Sequence, residues 1–509
     1  MTSIRYRRAF LSGSTLFSFL AAAIVAAWPC SGCDTSKDGG EPSGETDEGR
    51  TDDKETSGRQ APSSSGKDGA DEARVKAARA FADLLLRSKF SEAEKRFTDQ
   101  MRKALPAESL EKTWRSIEKS MGGFKRIAST ETKHKGTLTA VILTAEFSKG
   151  SVDIRVVLNE KDEVAGLFFK PTEQEVSWQK PGYADPSSFI ESQVEVGEGK
   201  YALPATLTLP KRASGRRVCG AVLVHGSGPH DRDETIGGNK PFKDLAWGLA
   251  TRGIAVVRYE KRTLVHKAKM SKEADRVTIK EETVDDAVTA ARMLRDRKEI
   301  HPGCVVIIGH SLGGNVAPLI GKQDPKLAGL VLLAANTRPL QTLVLDQHEY
   351  LFSLDGKISK EEKRKLAEIK ESLALLKKPD QLDSVPPKKL PLGLPAAYWK
   401  AMLDYDPVKT AKSIAMPMLI LQGERDYQVT MEDLSGWKKG LSGKKNVSFK
   451  SYPKLNHLFI AGKGKPTPGE YTEPGHVAKQ VIVDIATFIN ASAPKTKPNL
   501  PTPPRPRSR

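Results

Sequence analysis

Apolar positions along the chain change period twice. Val75, Ala78, Phe81, Ala82, Leu85 and Leu86 recur at three- and four-residue spacing, as do Leu110, Trp114, Ile117 and Met121. Each set predicts an amphipathic helix with one buried face. Alternation then takes over, with Val141, Leu143, Ala145 and Phe147 on one segment and Val152, Ile154, Val156 and Leu158 on the next. That period predicts a curved antiparallel sheet with a single buried face. Residues 73–172 therefore read as a small α+β domain.

From about residue 186 to 492 the pattern is different: short continuous apolar runs separated by amphipathic helical stretches. Strands buried on both faces produce such runs, so this region reads as an α/β fold with a mostly parallel sheet between helices. Eight runs qualify as strands: Val194–Val196, Tyr201–Leu209, Val218–Val224, Ile254–Arg258, Cys304–Ile308, Leu330–Ala334, Pro417–Leu421 and Val447–Tyr452. The first two read as an antiparallel hairpin. Helices are predicted between the runs, for example over Lys280–Arg297 and Glu432–Leu441. Residues 337–405 carry no strand pattern, and Leu366, Ile369, Leu373 and Leu376 fall on one face of a charged helix, so this stretch is expected to be an inserted helical cap.

The two ends have no core pattern. Arg5, Arg7 and Arg8 precede a moderately apolar stretch from Phe10 to Trp28, the charged-then-apolar order of an export signal over residues 1–33. Tyr6-Arg7-Arg8-Ala9-Phe10-Leu11 resembles a twin-arginine signal, and Cys30-Ser31-Gly32-Cys33 resembles a bacterial lipobox with Cys33 as the lipidated residue. The expectation is an exported protein of the cell envelope or periplasm held to a membrane by a lipid anchor, with an ordinary signal peptide or an uncleaved anchor as the alternatives. Residues 34–72 are Gly, Ser, Thr, Asp, Glu and Lys with almost no large apolar residue, and read as a disordered tether. The Pro-, Lys- and Arg-rich tail at 493–509 reads the same way.

Composition narrows the function classes. A chain of 509 residues exceeds one core, and its 38% apolar content fits folded domains. The formal charge of +18 is spread along the chain, with no basic run interleaved with aromatics, which argues against nucleic acid and fits attraction to anionic envelope polymers or headgroups. Besides Cys30 and Cys33 there are only Cys219 and Cys304, near the starts of strands that the fold would place side by side. Bridges between adjacent strands are geometrically awkward, so two buried free thiols are expected rather than a disulfide, which an oxidising envelope would nevertheless permit. No zinc spacing, phosphate loop or nicotinamide fingerprint occurs, so neither metal nor cofactor is expected.

The candidate chemistry lies in three loops. Gly309-His310-Ser311-Leu312-Gly313 follows the run Cys304–Ile308 and opens a helical segment, the strand-turn-helix context of a nucleophile elbow. A carboxylate follows the seventh run in Gly423-Glu424-Arg425-Asp426, where Asp426 is the candidate acid and Glu424 its alternative. A histidine follows the eighth run in Tyr452-Pro453-Lys454-Leu455-Asn456-His457, with His476 as the competing base. The chain order Ser, acid, His fits a hydrolase in which His457 takes the proton of Ser311 and Asp426 orients the imidazole. The oxyanion donors are expected to be the amide of Leu312 and that of Ser227 in His225-Gly226-Ser227-Gly228-Pro229. His225 and His310 are expected to brace these loops.

The runs HGSGPHDRDETIGGNKPFKDLAWGLATRGIAVVRYEKRT, GHSLGG, LQGERDYQV and YPKLNHLF resemble a bacterial branch of α/β-hydrolases related to dienelactone hydrolases and carboxylesterases, over residues 190–490. The preceding helix-sheet segment resembles a domain of unknown function found before some of these enzymes. The resemblance implies the α/β-hydrolase fold and hydrolysis of a small carboxylic ester, with Ser311, Asp426 and His457 at the triad positions. Dienelactone hydrolases proper use cysteine where this chain has Ser311, which argues against their lactone chemistry. Arg232 and Lys240, within the first run, are expected to form structural ion pairs beside the site. A serine aminopeptidase or amide hydrolase is the nearest competing reading, and a non-catalytic envelope scaffold the next.

Overall fold

The computed structural model describes residues 65–148, 150–171, 178–211, 217–273 and 276–494. The export signal, Cys33, most of the tether and nearly all of the basic tail lie outside these residues. The chain divides into two compact units that part at residues 175–176.

The first unit is a helical layer on a four-stranded antiparallel meander. Its long helix, Ser65–Leu86, begins inside the segment read as tether and buries Ala78, Phe81, Ala82 and Leu85, the face its spacing predicts. A second helix, Ala107–Met121, buries Leu110 and Trp114. Strands β1 (Phe124–Lys135), β2 (Leu138–Phe147), β3 (Gly150–Leu158) and β4 (Val164–Pro171) follow in spatial order. Every second residue of β2 and β3 enters one core with those helices, so the pleat sends the alternating residues inward. The sheet has two strands more than the sequence pattern announces, β1 and β4.

The second unit is built on an eight-stranded sheet. Its strands are β5 (Phe189–Val196), β6 (Leu203–Pro210), β7 (Val218–Val224), β8 (Ala255–Tyr259), β9 (Ile300–His310), β10 (Gly329–Leu333), β11 (Met418–Gly423) and β12 (Val447–Tyr452). Their spatial order is β12-β11-β10-β9-β7-β8-β6-β5. The six strands from β12 to β8 are parallel, whereas β6 joins β8 and β5 antiparallel. Two cores flank the sheet. Val222, Val224, Val305 and Ile307 point into one, Ala221, Leu223, Val306 and Ile308 into the other, which is why these strands appear as unbroken apolar runs.

Cys219 and Cys304 are joined in a disulfide with a Cα–Cα separation of 4.8 Å, which corrects the expectation of free thiols. The reason is local. The pairing of β7 with β9 breaks register between Val218 and Gly220, so the two cysteines escape the regular ladder geometry that disfavours such a bridge.

The cap is helical, as its pattern predicts. Its helices are Leu340–Phe352, Lys360–Leu375 and Ala396–Asp404, with short 3-10 turns between the second and third, and Leu376, Leu382, Leu390 and Trp399 form a small core. Arg338 fixes the point where the cap leaves the sheet. Its guanidinium reaches Asp433 at 2.7 Å and Asp346 at 2.6 Å, joining the first cap helix to the helix after β11.

Candidate active site

The parallel strands all end at one edge, and the loops that leave β7, β9, β11 and β12 there carry the candidate residues. Ser311 stands between β9 and the helix Leu312–Gln323. It adopts φ 53° and ψ −116°, a conformation that L-residues avoid, which lifts its side chain out of the turn. Its amide is held by the carbonyl of Leu333 at 2.8 Å, and its carbonyl accepts from the amide of Asn315 at 2.9 Å.

The glycines of the motif are steric requirements. A Cβ on Gly313 would overlap the Val224 carbonyl oxygen and lie 2.7 Å from that of His225; one on Gly314 would lie 2.9 Å from both Ala335 Cβ and the Gly309 carbonyl oxygen. Gly313→Ala is therefore expected to lower the melting temperature by roughly 5–10 °C, the effect of about 1–3 kcal/mol of overpacking. Gly443→Ala, where a Cβ meets nothing within 4 Å, should leave the melting curve in place. Thermal unfolding of the two variants side by side checks the expectation.

Asp426 and His457 meet directly. Nδ1 of His457 donates to Oδ2 of Asp426 at 2.7 Å. That oxygen also accepts from Gln422 Nε2 at 3.2 Å, and Oδ1 accepts from the amides of Gln428 at 2.8 Å and Val429 at 3.0 Å. The carboxylate is thus held in one orientation by groups that all donate. Gly423 lets the two loops approach, since a Cβ there would be 2.7 Å from the Asn456 carbonyl oxygen. Asn456 in turn shapes the histidine loop, accepting from the amides of Leu458 and Ile460 at 3.1 Å each.

The two alternatives lie elsewhere. Glu424 is exposed and accepts from the Ser451 hydroxyl at 2.7 Å. His476 pairs with Asp244 at 3.2 Å and meets Trp178 edge to face. The structure therefore brings Asp426 to His457, and it brings the histidine loop to Ser311 through the neighbouring His310, whose ring lies 4.7 Å from that of His457. No hydrogen bond joins Ser311 Oγ to His457 among the described residues.

The loop after β7 packs on the elbow: a Cβ on Gly226 would be 3.2 Å from Ser311 Cβ. Five groups hold this loop. His225 Nε2 donates to the Asp231 carbonyl at 3.0 Å, Glu234 accepts the Gly226 amide at 2.7 Å, and Lys261 donates to the Gly226 carbonyl at 2.8 Å. His230 donates to the Ser227 carbonyl at 2.6 Å, and Thr263 to the Gly228 carbonyl at 3.3 Å. Burial drives the pKa of His225 down to about 3, so it braces the loop as a neutral ring. The amides of Ser227 and Leu312 donate to no protein acceptor among the described residues, and both residues line one cavity of about 80 Å³. Leu340, Leu392, Leu394 and Tyr398 of the cap form the opposite wall; neither Ser311 nor His457 is part of it.

Arg232 and Lys240 are structural, as expected. Arg232 pairs with Glu260 at 2.6 Å and Lys240 with Asp233 at 3.3 Å. Sequence reasoning passed over Glu234, Gln422 and the buried pair Lys261–Glu282, whose charges lie 2.7 Å apart. Glu234 directly follows Asp231, Arg232 and Asp233, and a fourth ionisable residue in a short loop was the signal available.

Comparison with known proteins fits this architecture. Residues 78–167 match a family described as a protein of unknown function, DUF3887, and residues 222–463 match one described as serine aminopeptidase, S33. Among solved structures, the chain is similar to Est1E from Butyrivibrio proteoclasticus, with a TM-score of 0.38 and 14% identity over 59% of this chain and 98% of that one. It is also similar to a puromycin-hydrolyzing peptidase of Mycobacterium tuberculosis, with a TM-score of 0.41 and 18% identity over 72% of this chain and 48% of that one. Esterase EstD of Thermotoga maritima is 38% identical over 409 residues, which are 80% of this chain and 93% of that protein. At that identity and coverage the chain belongs to the EstD esterase family of α/β-hydrolases, with a small helix-sheet domain ahead of the hydrolase fold.

Proposed function

We propose that the protein hydrolyses small carboxylic esters through an acyl-enzyme on Ser311, with His457 as general base and Asp426 as its orienting acid. The observation that carries this reading is the buried 2.7 Å pair of His457 and Asp426 at the same sheet edge as the strained Ser311. In the first step Ser311 Oγ bonds to the carbonyl carbon while its proton passes to His457 Nε2, and the imidazolium is stabilised by Asp426. Collapse of the tetrahedral species breaks the ester C–O bond, and His457 returns the proton to the departing alcohol. Water repeats the sequence and releases the acid. The missing Ser311–His457 hydrogen bond does not exclude the pair, since catalytic contacts commonly tighten only when substrate is bound. The Leu312 and Ser227 amides would receive the oxyanion.

The apolar cap residues lining the cavity favour an uncharged acyl group, and the EstD relationship supports esters over amides. Amide hydrolysis is the second reading, favoured by the S33 match over residues 222–463. A panel of p-nitrophenyl esters against aminoacyl anilides, with Ser311→Ala as control, separates the two. Higher kcat/KM on the esters supports the proposal, and preference for the anilides reverses it.

We further propose that the protein is exported and lipid-anchored at Cys33, on the strength of the paired Arg7 and Arg8 and the Cys30–Cys33 segment. Cys33→Ala should move the protein from the membrane to the soluble fraction of cells. Retention in the membrane would argue for an uncleaved anchor.

A further inference from the structure

One buried cluster outside the Ser311–His457–Asp426 group ties two of its loops together. Glu234 is 1% exposed and adopts φ 50°, a left-handed backbone unusual for glutamate. One of its carboxylate oxygens accepts the Gly226 amide at 2.7 Å. The other lies 2.9 Å from Nδ1 of His310, a contact of an ion pair rather than of an aligned hydrogen bond. On the far side of the ring, His310 Nε2 lies 3.0 Å from the carbonyl oxygen of His457. Both neighbours of the ring are acceptors, an arrangement that suits a proton on each nitrogen and a charged His310.

We infer that Glu234 and His310 are positioning residues: a buried ion pair that sets the spacing between the oxyanion loop at Gly226–Ser227 and the base loop at His457. One end grips the amide that precedes Ser227, and the other grips the carbonyl of His457 itself. This inference rests on the triad proposed above.

The electrostatics agree with the geometry. Burial opposes charge on both groups, but each overrides it for the other: the Glu234 carboxyl is held down at about 2, and His310 is raised from its ordinary value. The other ionisable groups facing His310 are Asp426, His457 and His230. A buried ion pair contributes little net stability compared with apolar packing, so its presence between two catalytic loops calls for a role in geometry. Misplacing reacting groups by about 1 Å can cost on the order of 100-fold in rate.

The test is steady-state kinetics on a p-nitrophenyl ester. His310→Ala and Glu234→Ala are expected to lower kcat by on the order of 100-fold while KM moves less than about threefold. Their double variant should be little worse than either, because they act as one unit. Glu234→Gln can still accept the Gly226 amide and donate to a neutral His310, so it should recover at least about tenfold of the loss seen in Glu234→Ala. Independent additive losses, a change confined to KM, or no recovery in Glu234→Gln would each overturn the inference. Nitrogen NMR of the unaltered protein checks it without any variant: both His310 ring nitrogens should be protonated at neutral pH, and a neutral tautomer refutes it. Ser311→Ala run alongside separates the two ideas. If that variant stays active the triad itself is wrong, whereas an inactive Ser311→Ala with normal His310→Ala removes only the positioning role.

Discussion

Alanine in place of Ser311 is expected to lower kcat for ester hydrolysis by on the order of a million-fold, to the level set by substrate binding and oxyanion stabilisation alone. His457→Ala should reach the same floor, and the double variant should fall no further, because nucleophile and base act on one proton. Neither side chain belongs to the hydrophobic cores that flank the sheet, so both variants should remain folded and unfold cooperatively. Labelling by a fluorophosphonate should disappear in both variants. Activity of Ser311→Ala above about one per cent of the unaltered enzyme would mean that another group attacks the ester.

Asp426→Asn is the second large effect, on the order of 10⁴-fold in kcat. The reason can be followed atom by atom. Oδ1 of Asp426 accepts two backbone amides, from Gln428 and Val429, which an asparagine carbonyl can keep. The asparagine NH2 then replaces Oδ2 and faces His457 Nδ1, a donor in the present structure. The ring must give up its Nδ1 proton and carry one on Nε2, the nitrogen that has to receive the serine proton. The alternative flip sets an NH2 against two backbone N–H groups and is worse. Glu424→Gln, by contrast, alters a side chain bonded to Ser451 at the surface and should change kcat by less than about twofold. Kinetics on the pair of variants decides between the two acids: a severe loss in Glu424→Gln would transfer the role.

The sheet of the larger unit was legible because its central strands are buried on both faces. β7, β10, β11 and the Cys304–Ile308 part of β9 are apolar almost without interruption, as burial on both sides favours. Edge strands follow a different rule. β1 reads FKRIASTETKHK and pairs with β2 through backbone hydrogen bonds that no side-chain pattern reports. β5 likewise starts at Phe189, ahead of the Val194–Val196 run, because Ile190, Glu191, Ser192 and Gln193 are solvent-facing. The predicted helix at Lys280–Arg297 begins with a π-helical turn over Lys280–Val284, a hydrogen-bond register that composition does not encode.

The candidate site was legible where a loop position and a residue type coincide. Ser311, Asp426 and His457 each follow a strand, and the topology sends those strand ends to one edge. Partners set by three-dimensional proximity were not. Glu234 reaches His310 across 76 positions, and Lys261 reaches the carbonyl of Gly226, with nothing in either local sequence to announce the other. The Cys219–Cys304 bridge depends on a break in strand register that is equally invisible before the chains are paired.

The roof over the cavity has its own interior, in which Trp399 packs with Leu376, Leu382 and Leu390 and its indole N–H is satisfied by the Pro391 carbonyl at 3.0 Å. Leu340, Leu373 and Leu403 close that interior from the neighbouring helices, so the cap holds its shape through its own packing while Arg338 ties its first helix to the helix after β11. A roof that is rigid in itself gives the cavity a fixed ceiling of Leu340, Leu392, Leu394 and Tyr398, so changes of volume at those four positions would alter which acyl groups fit without disturbing the sheet below.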